Sequence, residues 1–189
     1  MTRARSPQTL SEADRRLVAA WAADCVEHVL ELFEAEAPGD GRPRAAVARA
    51  RAFARGELNT ADEIRRRFAG GVPAGEVKTP AAVAVAHAAG QAVAVSHMGA
   101  HALGAAAYAV KAAGLAAADG SGTARDELRW QLAHMSPEVR AALRTLPPIG
   151  ENRSGPLGPG RLASGELGSI IRELQSAIAS DAAEVRPQN

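Results

Sequence analysis

Apolar residues recur at helical spacing along most of the chain, and the first such stretch begins at a capping residue. Ser11 has Asp14 in the first turn after it, and apolar positions continue to about Ala37. A side-chain oxygen at a helix start accepts from an otherwise unpaired backbone amide, and an early acidic residue complements the helix dipole. The turn sequence Pro-Gly-Asp-Gly at residues 38–41 then predicts the end of a long first helix.

The same signals predict further helices after this one. Pro43 suits a first helical position, Thr60 and Glu63 form a capping box, and Thr79 precedes a proline that again suits a helix start. Thr123 with Asp126, and Ser136 before Pro137, are two more cap signals. The predicted segments run from about residue 43 to 55, 60 to 68, 79 to 117, 123 to 135, 136 to 146 and 164 to 182.

The alanine-rich segment 79–117 is too long to be one helix in a domain of this size. As a single helix it would be roughly 58 Å long, whereas a compact domain of this length is about 40 Å wide. Glycine is the least helix-favouring residue of the run other than proline, so a break is expected at residues 98–100, Met-Gly-Ala. This prediction places His97 and His101 on successive helices.

Residues 147–163 are predicted to be a linker, because residues 147–160 contain four prolines and four glycines without any periodicity. The linker divides a helical domain at residues 10–146 from an amphipathic helix at 164–182. Five aliphatic residues form one stripe on that last helix: Leu167, Ile170, Ile171, Leu174 and Ile178. Such a stripe requires a protein surface, either in the same chain or in a second copy, so a homodimer stays open.

The composition favours helices over strands. The 189 residues include 45 alanines and only six aromatic residues, whereas sheets are rich in aromatic and β-branched side chains. The sequence therefore predicts an all-α, single-domain bundle of seven or eight helices, with its last helix after a Pro/Gly linker.

Charge and polarity exclude some partners and indicate a compartment. A formal net charge of +1 gives no general attraction to nucleic acid or to an anionic membrane. The amino terminus lacks the apolar segment of a secretory signal, and the apolar run after Pro80 carries histidines, glutamine and lysine, which favours a core helix over a membrane span. The single cysteine, Cys25, cannot form an internal disulfide, and a cytoplasmic protein is expected.

Two groups of polar residues are candidates for chemistry. Four side chains share one face of the first helix, either as a solvated face or as the wall of a polar pocket with His97, His101 or an arginine of the second helix: Asp24, Glu27, His28 and Glu31. His97 and His101 have metal-ligand spacing, but no glutamate follows His97 as in zinc proteases, and a helix break would remove the shared face. Structural or partner-facing histidines are the favoured interpretation.

The remaining patterns indicate structure and not catalysis. Arginines concentrate in residues 42–67 directly after an acidic stretch at 27–36, so the two predicted helices are expected to neutralise each other. Cys25 lies among apolar positions and is interpreted as a core residue. The sequence contains no phosphate-binding loop, nucleophile elbow or Cys-x-x-Cys pair, and neither catalytic residues nor cofactors are predicted.

Three segments together resemble a bacterial family of small helical proteins labelled "putative immunity protein", grouped with the immunity partners of polymorphic toxins. They are Ala20-Trp-Ala-Ala-Asp-Cys-Val-Glu-His-Val-Leu30 with Phe33-Glu34, Arg42-Pro43 through Ala52-Phe-Ala-Arg-Gly56, and Ser96-His-Met-Gly-Ala-His-Ala-Leu-Gly-Ala-Ala-Ala-Tyr-Ala109. The resemblance covers roughly residues 10–145. It implies a cytoplasmic protein that neutralises a toxin protein by binding it, and it supplies no catalytic motif.

Two other functions stay open beside immunity. The helical body is also compatible with a small-molecule-binding or antibiotic-sequestering accessory protein, or with a metal-dependent enzyme that uses His97 and His101. The candidate binding residues are the polar and aromatic side chains within the segments that carry the resemblance: Trp21, Asp24, Glu27, His28, Glu31, His97, His101 and Tyr108.

Overall fold

A computed structural model describes residues 6–60, 77–117 and 121–184 of the chain. In those ranges the protein contains eight α-helices, one short 3₁₀-helix and no β-strand, which confirms the all-α prediction. The α-helices are α1 (Glu12–His28), α2 (Glu31–Glu34), α3 (Arg42–Ala54), α4 (Pro80–Ala94), α5 (His101–Ala116), α6 (Ser121–Ala133), α7 (Pro137–Arg144) and α8 (Gly165–Glu184), with the 3₁₀-helix at Arg161–Ala163.

The centre of the bundle is the antiparallel pair of alanine-rich helices α4 and α5. Every residue of α5 from Ala102 to Val110 is buried, because other helices cover it from several sides. α1 packs on both α4 and α5, and α3 packs on α1 and α4. α6 and α8 pack on α5. Small alanine side chains let these backbones approach closely, so α5 is the central helix of the core.

The predicted break in the alanine-rich run is present. α4 ends at Ala94 and α5 begins at His101, so the two helices form a hairpin. Gly99 donates its backbone amide to Thr9 O at 3.1 Å, and a Cβ on Gly99 would lie 2.4 Å from Leu10 Cδ1. Glycine is thus required at the corner because the N-terminal segment crosses directly over it.

His97 lies elsewhere than predicted. It is not on α4 but in the turn that follows, where its backbone amide donates to Ala94 O at 3.2 Å in an i to i−3 pattern. Val95 and Ser96 bond in the same tighter pattern. The α-helix therefore ends three residues before His97, and only His101 belongs to a helix.

The first helix is shorter than its apolar pattern predicts. α1 ends at His28, where the amides of Val29 and Leu30 donate to residues three positions back, at 3.2 Å each. This tighter turn precedes the single-turn helix α2 and leaves Val29, Leu30 and Phe33 all buried. α6 begins at Ser121, two residues before the predicted cap Thr123. The predicted helix at 60–68 falls, beyond Thr60, outside the described residues.

The C-terminal segment packs on the helical body of the same chain. Leu157 and Leu162 are buried in residues 147–163, and α8 buries Leu167, Ile171, Leu174 and Ile178. Gln8, itself fully buried, donates from Nε2 to Ser154 O at 2.7 Å and accepts from the Leu157 amide at 2.9 Å. The N-terminal segment and residues 150–158 are therefore tied together. None of the described helices is long and apolar enough to cross a membrane.

Candidate functional site

A cleft of about 410 Å³ lies where α1 meets the end of α6. Its walls are Asp24, Glu27 and His28 from α1, with Trp130 of α6 and His134 directly after that helix. We call it the ring cleft. Three of the predicted site residues therefore line one cleft, and the face of α1 that carries them is a wall and not only a solvated surface.

The three rings of this cleft form a column. His28 and Trp130 stack in parallel with centroids 3.7 Å apart and planes 2° apart. Trp130 and His134, four residues apart, have centroids 4.1 Å apart and planes at 25°. His134 Nδ1 donates to Trp130 O at 2.8 Å, which fixes the orientation of its ring. The indole is thus held between two imidazoles and has little freedom to lose when a partner binds.

A buried hydrogen-bond network supports the column from below. His28 Nδ1 donates to Glu127 Oε2 at 2.5 Å, and Glu127 is only 4% exposed. Gln131 Nε2 donates to the other Glu127 oxygen at 2.8 Å and to Ala106 O at 3.2 Å. Trp21 Nε1 donates to Gln131 O at 3.0 Å. The orientation of His28 is therefore set by residues of the core, since a buried carboxylate requires such partners.

The charge of the ring cleft is predominantly negative. Arg51 of α3 pairs with Asp24 at 2.8 Å and also with Glu27. One guanidinium thus faces two carboxylates, and Glu31 is exposed nearby in sequence. This is the expected neutralisation between the acidic and the arginine-rich stretches, to which Arg44 of α3 and Glu34 of α2 add a pair at 2.8 Å. The described lining of the cleft has two carboxylates and no lysine or arginine, so it suits a cationic partner group.

His97 and His101 lie at the α4–α5 corner and do not line the ring cleft. Their ring centroids are 5.3 Å apart, and His101 Nδ1 donates to Gln91 Oε1 at 2.8 Å. Burial, and then the neighbouring His97, lower the pKa of His101 to about 3. His101 is therefore neutral at physiological pH. Within the described ranges, no group of three or more His, Cys, Asp or Glu residues could hold a metal ion.

The other candidate residues are buried. Trp21 is 2% exposed and belongs to the core beneath the ring cleft. Tyr108 is 5% exposed and borders a second cleft, between α4 and α5, where its ring centroid is 5.1 Å from that of His87. Cys25 is fully buried, and burial, followed by Glu127 and Asp24, raises the pKa of its thiol well above the ordinary range. The thiol is a core group, as its apolar surroundings in sequence predict.

The sequence reasoning missed four residues of the site: Glu127, Trp130, Gln131 and His134. Their spacing was a usable signal, because Glu127 and Gln131, and Trp130 and His134, are pairs four residues apart that share a helix face. What the sequence did not indicate is that this face meets His28, about a hundred residues away.

No curated protein and no solved structure matches this chain. A family model does match: residues 8–138 fit the family described as "Imm-5 like putative immunity protein". The matched segment is more than half of the chain and includes every residue that lines the ring cleft. The chain therefore belongs to this family of immunity-like proteins.

Proposed function

We propose that this protein is a cytoplasmic immunity protein, which neutralises a toxin protein by binding it through the ring cleft and catalyses no reaction. Membership of the family supports the immunity role. The observation that carries the choice of surface is the column of His28, Trp130 and His134, which is open to solvent in a cleft with acidic walls.

A pre-stacked tryptophan is suited to be the energetic centre of an interface. Tryptophan is among the residues that contribute most to protein–protein binding, and it does so where it fills or forms a pocket at the centre of the contact. Trp130 is held by rings on both sides, and His28 is fixed by Glu127. Because these side chains are already ordered, little conformational entropy is lost on binding, and more of the contact energy contributes to the affinity.

The chemistry of the cleft indicates the partner group. Asp24 and Glu27 provide carboxylates, and the rings provide π faces, in a volume of about 410 Å³. An arginine or lysine side chain of the toxin suits this cleft, because the carboxylates pair with its charge and its apolar stem packs against the exposed rings. The partner surface is therefore proposed to present a basic side chain to the ring cleft.

The proposal is tested by complex formation with a candidate toxin, the product of the neighbouring gene. Co-purification and calorimetry with catalytically inactive toxin should give a complex, and Trp130→Ala should weaken it by roughly 30-fold or more, the loss typical of a hot-spot residue. The matched control is Arg129→Ala, one residue away on α6, whose side chain is 74% exposed and bonds to Asp126 and to the backbone oxygen of Arg125. Equal effects of the two variants would reject the ring cleft as the interface.

A second function is favoured by a separate observation. The cleft between α4 and α5, with a volume of about 350 Å³, has the size and the mixed polarity of a small-molecule site. It supports the alternative of a ligand-binding accessory protein, and the two functions are compatible because the clefts share no lining residue.

A further inference from the structure

The cleft between α4 and α5 changes in polarity along its length. The two helices are antiparallel, and the contact between His87 and Tyr108 fixes their alignment. Pro80, at the start of α4, therefore lies toward Leu115, near the end of α5, and both line the cleft. Leu115 is 43% exposed, one of only two large apolar side chains so exposed in the described ranges. One end of the cleft is thus apolar and accessible.

The other end carries polar groups that converge on the same space. His87 and Tyr108 line it from the helix pair, and Arg161 lines it from the 3₁₀-helix. Burial, and then the charge of Arg161, lower the pKa of His87, so the ring is neutral and the guanidinium supplies the positive charge. Lys111, farther along the cleft, is already paired with Glu166 at 3.0 Å.

Arg161 has no carboxylate partner within the described part of the chain. Its backbone is nevertheless held firmly, because Leu162 beside it is buried against α5 at Gly104. A Cβ at Gly104 would lie 2.9 Å from Leu162 Cδ1, so glycine is what permits this close approach. A guanidinium without a carboxylate partner among the described residues, at the mouth of a cleft, is an arrangement that an anionic ligand completes.

We propose that this cleft binds a small organic carboxylate, with its carboxylate at Arg161, His87 and Tyr108 and its apolar body extending toward Leu115. The guanidinium pairs with the anion through two parallel hydrogen bonds. The Tyr108 hydroxyl, which makes no hydrogen bond to any described residue, and a ring nitrogen of His87 donate to it as well. Val83, Ala84 and Leu167 bury the apolar body.

This site depends on the part of the chain outside the family match. Arg161 and Leu167 lie beyond residue 138, whereas His87 and Tyr108 lie within the matched segment. The C-terminal segment therefore adds the charge and part of the apolar wall to a groove that the family body forms. The proposed ligand site therefore combines residues of the matched segment with residues beyond it.

The test is calorimetric titration of the full-length protein with octanoate and, separately, with octan-1-ol, which has the same number of carbon atoms but no charge. Octanoate is expected to bind with a Kd below about 1 mM, and octanol at least tenfold more weakly. Arg161→Gln should weaken octanoate binding about tenfold or more and leave octanol binding unchanged. The matched control is Arg153→Gln, an exposed arginine of the same segment that does not line the cleft.

A second variant keeps the test decisive. Val83→Phe fills the apolar part of the cleft from a partly exposed position, and it should abolish octanoate binding while the melting temperature is kept. Equal binding of octanoate and octanol would overturn the carboxylate assignment. Octanoate binding that is the same in Arg161→Gln, Val83→Phe and the control would overturn the site.

Discussion

The ring cleft and the α4–α5 cleft are similar in volume, about 410 and 350 Å³, yet they differ in charge and in the part of the chain that builds them. The ring cleft is acidic and aromatic, and all of its lining residues lie in the family-matched segment. The α4–α5 cleft has aliphatic walls and the guanidinium of Arg161, which has no carboxylate partner among the described residues, and two of its lining residues belong to the C-terminal segment. One helical body thus presents two clefts of different charge, and these clefts share no lining residue.

The two clefts also differ in the interactions that keep their walls in place. The ring cleft is held by a hydrogen-bond network that joins α1 and α6 to the core through Glu127 and Gln131. The α4–α5 cleft is held by burial of aliphatic residues, above all the stripe of α8 and Leu162. A polar network loses its geometry when one member is removed, whereas apolar packing loses stability in proportion to the volume removed.

The largest effect is expected from a cavity in the C-terminal helix. Leu174 is fully buried, so Leu174→Ala should lower the free energy of unfolding by about 2–5 kcal/mol. Urea unfolding followed by tryptophan fluorescence measures this, because Trp21 and Trp130 both lie in the matched segment. Glu173→Ala, its exposed neighbour, is the control. An unchanged fluorescence midpoint in Leu174→Ala would show that α8 unfolds independently of the body.

A smaller loss is expected when the support of the ring cleft is removed. Glu127→Ala leaves His28 without its buried acceptor and Gln131 Nε2 with Ala106 O alone, so the free energy of unfolding should fall by about 1–3 kcal/mol. Toxin affinity should fall as well, while octanoate affinity stays the same. Asp126→Ala, which removes an exposed carboxylate one residue away, should change neither the free energy of unfolding nor the toxin affinity. If octanoate affinity also fell, the two clefts would not be separable.

The pH dependence of stability should reveal the buried histidine at the α4–α5 corner. The folded pKa of His101 is about 3, below the ordinary 6.5, so between these values the unfolded chain binds more protons than the folded one. The contribution of His101 is therefore fully present above pH 6.5 and is lost as the pH falls, by up to about 1.4 kcal/mol per pH unit. His101→Gln removes this slope, and urea unfolding at several pH values between 5 and 7 measures the difference. If the free energy of unfolding had the same pH dependence in the unsubstituted protein and in His101→Gln, this would contradict the burial of His101 as a neutral ring.

Local rules predicted the parts of this fold that short segments determine. The break near Gly99 followed from helix length against domain size, and the cap at Ser136 is formed as predicted, with its hydroxyl accepting from the Val139 amide at 3.3 Å. The aliphatic stripe of α8 was predicted from its spacing, and four of its five members are buried, while Ile170 is partly buried. In each case the deciding residues are within one or two helical turns of one another.

Contacts between distant segments were not predictable in the same way. Nothing near Asp24 or His28 in the sequence indicates that Trp130 stacks on this face, because the contact joins residues about a hundred positions apart. Residues 147–163 have the composition of a linker, yet Leu157 is fully buried, since Gln8 and the helical body give it partners from elsewhere in the chain. Arg161 was not predicted as a site residue for the same reason, because its neighbour His87 in the cleft is distant from it in sequence.

The smallest effect, and the one that tests the charge comparison most directly, is expected from Arg51. Arg51→Gln leaves Asp24 and Glu27 without their shared partner, so the ring cleft becomes more negative. Stability should barely change, because ion pairs this exposed contribute little. Affinity for a small cationic probe, arginine amide, should rise by a few-fold at low salt, and the gain should disappear at about 0.5 M salt, where charges are screened over a few ångströms.

The matched control for this experiment is Arg55→Gln, which breaks the exposed pair with Glu57 directly after α3 and involves no carboxylate of the ring cleft. It changes the net charge by the same amount, so a gain seen only with Arg51→Gln is local to the ring cleft. Octanoate affinity should be unaltered by both substitutions, because Arg161 lies in the other cleft, which shares no lining residue with the ring cleft. A gain in arginine amide affinity of equal size in the two variants would mean that net charge, and not the carboxylates of the ring cleft, attracts the cation.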